Sequence, residues 1–297
     1  MKKLNQKSFF SLLFFCLAFL FSCKTLPQGT HVKPLDLLQK DCGFYMAVPA
    51  KCDEQLIKRI IIQNVDNISP QNADMIAKKV NTVYLGVNRR YSNVDFYSTI
   101  DSAVPAKLAS KMLSKKNGWD ATSYTPQNSL SQYNYYSNGQ IQLAFPASDI
   151  TCIAKDVSKM LDKYDTIHSI PEDESLVENN YSELDSEIYE WLDGANDEIR
   201  FYAPNPQSFL YVLIGATLDI KLISVKGTFV QDKNLDTQYL LNLDFKFKSE
   251  KFLKAGKAIL AMAFGLTNSQ VTSLSPTELR ISDIKIKKEQ LYKLLII

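Results

Sequence analysis

The chain is poor in the residues that catalysis most often uses. Among its 297 residues there are two histidines, five cysteines and ten glycines. Neither GxGxxG nor GxxxxGKS/T occurs, so no phosphate-cradling glycine loop is present. HExxH and CxxC are also missing, which removes the common zinc-hydrolase and dithiol signatures. His31 and His168 fall in segments that read as irregular. A nucleophile–base pair would have to use His168 or a lysine, and no local signature picks out a serine or cysteine partner. The net charge of +2 says nothing about partners, but a strong basic groove is lacking too, which for an exported chain argues against nucleic acid. From Asp165 to Glu198 there is no Lys or Arg, while acids recur. That run lacks the glycine and ligand spacing of a calcium loop and reads as a solvated spacer. The chain is therefore expected to be non-enzymatic, with no cofactor and no metal.

Long hydrophobic runs are equally scarce. Only Phe9–Phe21 stands out, thirteen residues without a charge, preceded by Lys2, Lys3 and Lys7. It is shorter than the ~20 residues needed to span a bilayer core of ~30 Å. It ends at Leu20-Phe21-Ser22-Cys23, with Leu three before the cysteine and a small residue directly before it. This resembles the lipobox of bacterial lipoproteins, and the bulky Phe21 resembles the relaxed lipoboxes of spirochaetes. The resemblance implies that residues 1–22 are a signal peptide. It also implies that Cys23 carries a diacylglyceryl group and, in many bacteria, an N-acyl chain such as palmitate. Cys16 is a poor rival because Phe15 precedes it.

The remaining composition, with 45% hydrophobic and 22% charged residues, is that of a globular chain long enough for two domains. Cys42, Cys52 and Cys152 form an odd set. If residues 43–48 are a strand, Cys42 and Cys52 stand roughly 30 Å apart at ~3.3 Å per residue. A disulfide needs Cα atoms within ~7 Å. Small buried thiols are the favoured reading, with Cys52–Cys152 left open.

Residues 23–34, broken by Pro27, Gly29 and Pro34, read as a lipidated tether, with His31 solvated. After it a pattern recurs: an apolar run stops at a proline and gives way to helical spacing, at Pro49, Pro146 and Pro204. Strand 44–48 leads to helix 53–63 and a second helix from Ser69-Pro70 to Val80. Strands 82–88 and 94–101, helix 105–116 and a hairpin of 133–137 with 141–145 around Asn138-Gly139 follow. A helix is expected over 149–164. The second half offers strand 199–203, helix 207–216, a hairpin of 220–230 with 239–247, helix 250–264, then strands 279–286 and 291–296. The expected class is α+β, as two tandem β-α-β-β-α-β units over 35–164 and 199–297. Each is expected as an antiparallel or mixed sheet with helices on one face, the two being joined by the acidic spacer 165–198.

Three helices carry the functional expectation. In 105–116 the apolar stripe of Leu108, Met112 and Leu113 is flanked by Lys107, Lys111, Lys115 and Lys116, with Trp119 just beyond. That is how an interfacial membrane helix is written, and also how a surface helix packed on a sheet is written. Helix 250–264 places Phe252, Ile259 and Phe264 around more than one stripe. Helix 207–216, with Phe209, Leu210 and Leu213, has no charge and must be covered by protein or lipid. The signal, the α+β plan and these helices together resemble treponemal membrane-associated lipoproteins. That resemblance implies a lipid-anchored protein on the periplasmic face of the outer membrane, whose amphipathic helices contact membrane lipid. An apolar small molecule held in a cavity, or an adaptor whose acidic spacer docks a basic protein, are the alternatives. No specific protein partner is identifiable.

Overall fold

The computed structural model describes residues 29–64, 68–90, 93–103, 111–127, 129–171, 181–215, 218, 220–233, 235, 237–265 and 270–295. Twelve strands are described: β1 (Phe44–Pro49), β2 (Val80–Arg90), β3 (Asn93–Ser102), β4 (Asp120–Tyr124), β5 (Tyr133–Ser137), β6 (Gln142–Ala147), β7 (Ile150–Ala154), β8 (Ile199–Ala203), β9 (Leu222–Gln231), β10 (Gln238–Phe247), β11 (Val271–Ser275) and β12 (Glu278–Lys287). The α-helices are α1 (Glu54–Asn64), α2 (Pro70–Ala77), α3 (Ser158–His168), α4 (Ser186–Asp193), α5 (Pro206–Ile214), α6 (Glu250–Ala263) and α7 (Lys288–Leu295). The class is mixed α+β.

The strands form one sheet in the order β11-β12-β10-β9-β8-β1-β2-β3-β7-β6-β5-β4. Two separate sheets were expected; instead β1 and β8 join the halves in antiparallel register, with Met46 opposite Phe201 and Ala47 opposite Arg200. Each would otherwise be a bare edge, and pairing satisfies both rows of backbone donors and acceptors.

Helices lie on both faces, not on one. Strand alternation shows why. Met46 and Val48 point to a core shared with Leu56, Ile57, Phe209, Leu210, Leu253, Leu260 and Leu291 of α1, α5, α6 and α7. Tyr45 and Ala47 point the other way, to Leu184, Ile188 and Leu192 of and around α4. On that same face Cys152 and Ala154, paired with Thr99 and Tyr97, meet Met160, Leu161 and Tyr164 of α3.

Local signals explain the helix ends. Ser69 accepts from the Asn72 amide at 3.2 Å ahead of Pro70, and Asp185 accepts from the Glu187 amide at 2.9 Å. α5 opens with Pro206 and stops at Gly215, whose φ of 77° suits a residue without Cβ.

Several elements differ from expectation. The helix expected over 149–164 is strand β7 followed by α3; Ile150-Thr-Cys-Ile-Ala is rich in β-branched residues and fits a pleated surface. The strand expected at 291–296 is α7, where Leu291, Leu294 and Leu295 recur at helical spacing. Strands β4 and β11 were not anticipated. Residues 29–34, expected as part of a loose tether, pack on the domain. Thr30 donates both its amide and its hydroxyl to the Ile170 carbonyl at 2.9 and 2.8 Å, and Val32 is buried. The chain from Cys23 to Gly29 can therefore extend only ~20 Å. His168 closes α3, stacked on Tyr164, while His31 is exposed with Nε2 3.3 Å from Asp149. The three described cysteines are free, Cys42 and Cys152 being buried.

Candidate membrane-interaction surface

α6 follows β10 and packs on it through Leu253, Gly256 and Leu260, spaced three and four residues apart along one side. Gly256 lets the helix approach closely: a Cβ there would collide with the Phe247 ring. Ile259 and Phe264 are half-buried against the same core. The outer side is mixed. Phe252 is 38% exposed and Met262 80% exposed. Lys251 and Lys254 are exposed and Lys257 is half-buried. Lys254 also pairs with Glu250 at 2.8 Å.

α5 buries Phe209 and Leu210. The Phe209 ring lies 4.8 Å from Phe201 and 5.5 Å from Phe44, centroid to centroid. These two residues, expected at a lipid or ligand contact, are instead core anchors for their helix. Tyr211 points outward, 57% exposed. The Leu213 side chain lies outside the described residues.

The segment expected as helix 105–116 fares differently, and its residues 105–110 lie outside the described residues. Leu108 lies outside the described residues, Met112 is half-buried and Leu113 is buried. Trp119, expected at a membrane interface, is 1% exposed and packs with Leu113 and Leu143. The reason is local. Asn117 Nδ2 donates to the Met112 carbonyl at 2.7 Å, and Gly118 turns at φ 80°. The Trp119 amide then returns to the Ser114 carbonyl at 3.1 Å, which carries the indole inward. Of the expected contact residues, the structure thus places Phe209, Leu210, Ile259 and Phe264 in or against one core, leaves Phe252 exposed and sets Leu113 and Trp119 in a separate cluster. Tyr211 and Met262 were missed. Both sit in helices apolar on several sides, where spacing does not say which side faces out.

Charge is divided between the helix layers. α6 carries three lysines and one glutamate, whereas α4 carries Glu187, Glu190 and Asp193 with no base. On the α4 side, burial pushes the Glu187 carboxyl up, but Lys226 at 3.3 Å and Lys246 at 3.5 Å outweigh it and hold it below the usual range. Burial raises the Cys42 and Cys52 thiols to about 11 and drives Cys152 higher still. None is a ready nucleophile, since the thiolate is the reactive form. Among the described residues no group of three or more His, Cys, Asp or Glu side chains could hold a metal ion. Among them, too, no helix is long and apolar enough to cross a membrane.

No curated protein sequence matches the chain. Three solved structures share its fold at 19% identity, each aligned over 90% of this chain and 98% of its own. They are crystal forms I, III and IV of TP0453, with TM-scores of 0.66, 0.63 and 0.60. A family profile described as outer membrane-associated lipoprotein TP0453 matches residues 29–292. That description names no catalytic activity. With nearly all of the folded region covered, the chain belongs to this family of outer membrane-associated lipoproteins.

Proposed function

We propose that this chain is a non-enzymatic lipoprotein, anchored through Cys23 at the periplasmic face of the outer membrane. Its second contact with the bilayer is the outer side of α5 and α6. The observation that carries this reading is the exposure of Tyr211, Phe252 and Met262 beside Lys251, Lys254 and Lys257 on helices whose inner sides are core. An apolar side chain moved wholly out of water contributes about 1.5–3 kcal/mol, and a lysine near an anionic surface about 1 kcal/mol. Acyl chains contribute ~0.8 kcal/mol per buried methylene and dominate the affinity. The helices therefore orient an already anchored protein.

The sheet also supports reading the halves as copies of one unit. The first begins β1-α1-α2-β2-β3 and the second β8-α5-β9-β10, and the three strands of each run outward from the β1–β8 junction in that order.

Two measurements test the reading. Cys23→Ser should move the protein out of the detergent phase; unchanged partitioning would end the anchor assignment. The mature chain without its lipid should float weakly with anionic liposomes and lose that binding in Lys251→Glu/Lys254→Glu/Lys257→Glu. Equal flotation of both proteins would end the helix contact.

A further inference from the structure

The sheet face that carries α3 and α4 turns polar beyond α4, where it crosses β9, β10 and β12. There Trp191, Thr228, Asn242, Asp244, Arg280 and Asp283 line an open groove of about 390 Å³. That falls in the range of ~300–1,000 Å³ usual for small-molecule sites. Its side chains are fixed before any ligand arrives. Arg280 donates from Nε and Nη2 to the two oxygens of Asp244, each at 2.6 Å. Asn242 donates from Nδ2 to the Thr228 hydroxyl at 3.2 Å and accepts from the Asp283 amide at 3.1 Å. The Trp191 indole donates to the Phe201 carbonyl at 2.9 Å.

The backbone is specialised at the same place. Pairing of β10 with β12 slips between Leu241 and Leu243, and Asp283 takes φ 60° in the resulting bulge. A bulge re-aims side chains, and a non-glycine residue in the left-handed region is an unusual conformation that clusters at ligand sites. Asp283 is thereby turned out at the groove.

The charges in the groove decide what fits. Asp244 and Arg280 neutralise one another, as do Glu198 and Arg200 at 2.9 Å beside Trp191, and Asp283 adds a carboxylate with no ion pair among the described residues. An anionic ligand would be repelled by Asp283 and could reach Arg280 only by disrupting its pair with Asp244. A neutral ligand rich in hydroxyls would meet neither obstacle. It would donate to the remaining lone pairs of the carboxylates and accept from the remaining Arg280 N–H groups. We propose that this groove binds a sugar, as a free glycan or as a glycolipid headgroup. The proposal is independent of the membrane contact of α5 and α6.

The two tryptophans make the test direct, since Trp191 borders the groove and Trp119 is buried away from it. In ¹⁵N spectra of the mature chain, maltotriose or chitotriose should shift the Trp191 indole N–H and leave that of Trp119 in place. Asp283→Gly keeps the left-handed backbone and removes one acceptor, and Arg280→Gln removes donors; each should weaken binding about tenfold. Vesicles carrying a glucosyl lipid, compared with plain phosphatidylcholine vesicles, separate a headgroup from a free glycan. A Trp191 resonance unmoved by either sugar source would overturn the proposal. So would equal affinity in the parent and both variants; if Arg280→Gln fails to fold, Asp283→Gly alone decides.

Discussion

The Tyr239 hydroxyl donates a 2.5 Å hydrogen bond to the buried carboxylate of Asp53, 186 residues away in sequence. Asp53 also accepts from the Leu56 amide at 3.1 Å, capping α1, and lies 3.5 Å from Lys288 at the start of α7. One carboxylate thus fastens a helix of the first half to a strand and a helix of the second.

Replacing Asp53 with Ala removes the cap and the carboxylate that Tyr239 and Lys288 share. Loss of a cap costs about 1 kcal/mol, and breaking a buried pair on one side about 3–5 kcal/mol. Urea unfolding of Asp53→Ala should show a loss of several kcal/mol, larger than that of Tyr239→Phe. Equal losses would mean that Asp53 acts on Tyr239 alone.

Gly256 makes a second, opposite-signed test. Ala is normally better than Gly inside a helix by roughly 0.5–1 kcal/mol. Here the new methyl meets the Phe247 ring, and overpacking costs about 1–3 kcal/mol. Gly256→Ala should therefore lower the melting temperature, and Gly256→Ala with Phe247→Leu should recover part of the loss. A stabilised single variant would show that α6 does not sit this close to β10.

Much of this fold was legible because its strands are bounded by strong local chemistry. Asn138-Gly139 announces a hairpin, and the structure shows why: Asn138 Oδ1 accepts from the Gln140 and Ile141 amides at 3.0 and 2.9 Å, and Gly139 has φ 85°. The proline after Ala203 marked the passage from β8 to α5 equally well. Residues 150–154 were not legible, because a short apolar run reads alike as strand or buried helix. The helix surface failed for a different reason. Whether Tyr211 or Phe209 faces outward depends on how α5 rolls against Phe44, a contact made by chain distant in sequence. Trp119 was misplaced because the turn at Gly118 ends the helical spacing before it.

Acid should loosen the link between α4 and the β9–β10 hairpin. Glu187 is depressed in the folded protein by Lys226 and Lys246, so its contribution is present above its unfolded value near 4.5. It is lost as pH falls through the lower folded value. The pair is partly exposed, so solvent screening keeps its contribution within about 0–1 kcal/mol. Melting curves of the parent and Glu187→Gln should differ at pH 6 and converge in strong acid. A difference that grows below pH 4 would reverse the assigned sign.

Met262 and Leu260 stand two residues apart in α6, one largely exposed and the other fully buried. If α6 meets lipid with its outer side, the two positions should separate stability from binding. Leu260→Ala opens a cavity in the core and should cost about 2–5 kcal/mol. Met262→Ser removes nothing from the core, and surface changes of this kind stay within about 0.5 kcal/mol. On anionic liposomes the order should reverse. Met262→Ser, combined with Tyr211→Ser, should weaken flotation of the lipid-free mature chain severalfold, because each serine forfeits apolar burial of about 1.5 kcal/mol or more at the interface. Leu260→Ala, measured where it is still folded, should float as the parent does. If the exposed pair leaves flotation unchanged while the buried change abolishes it, the outer side of α6 is not the surface that meets the membrane.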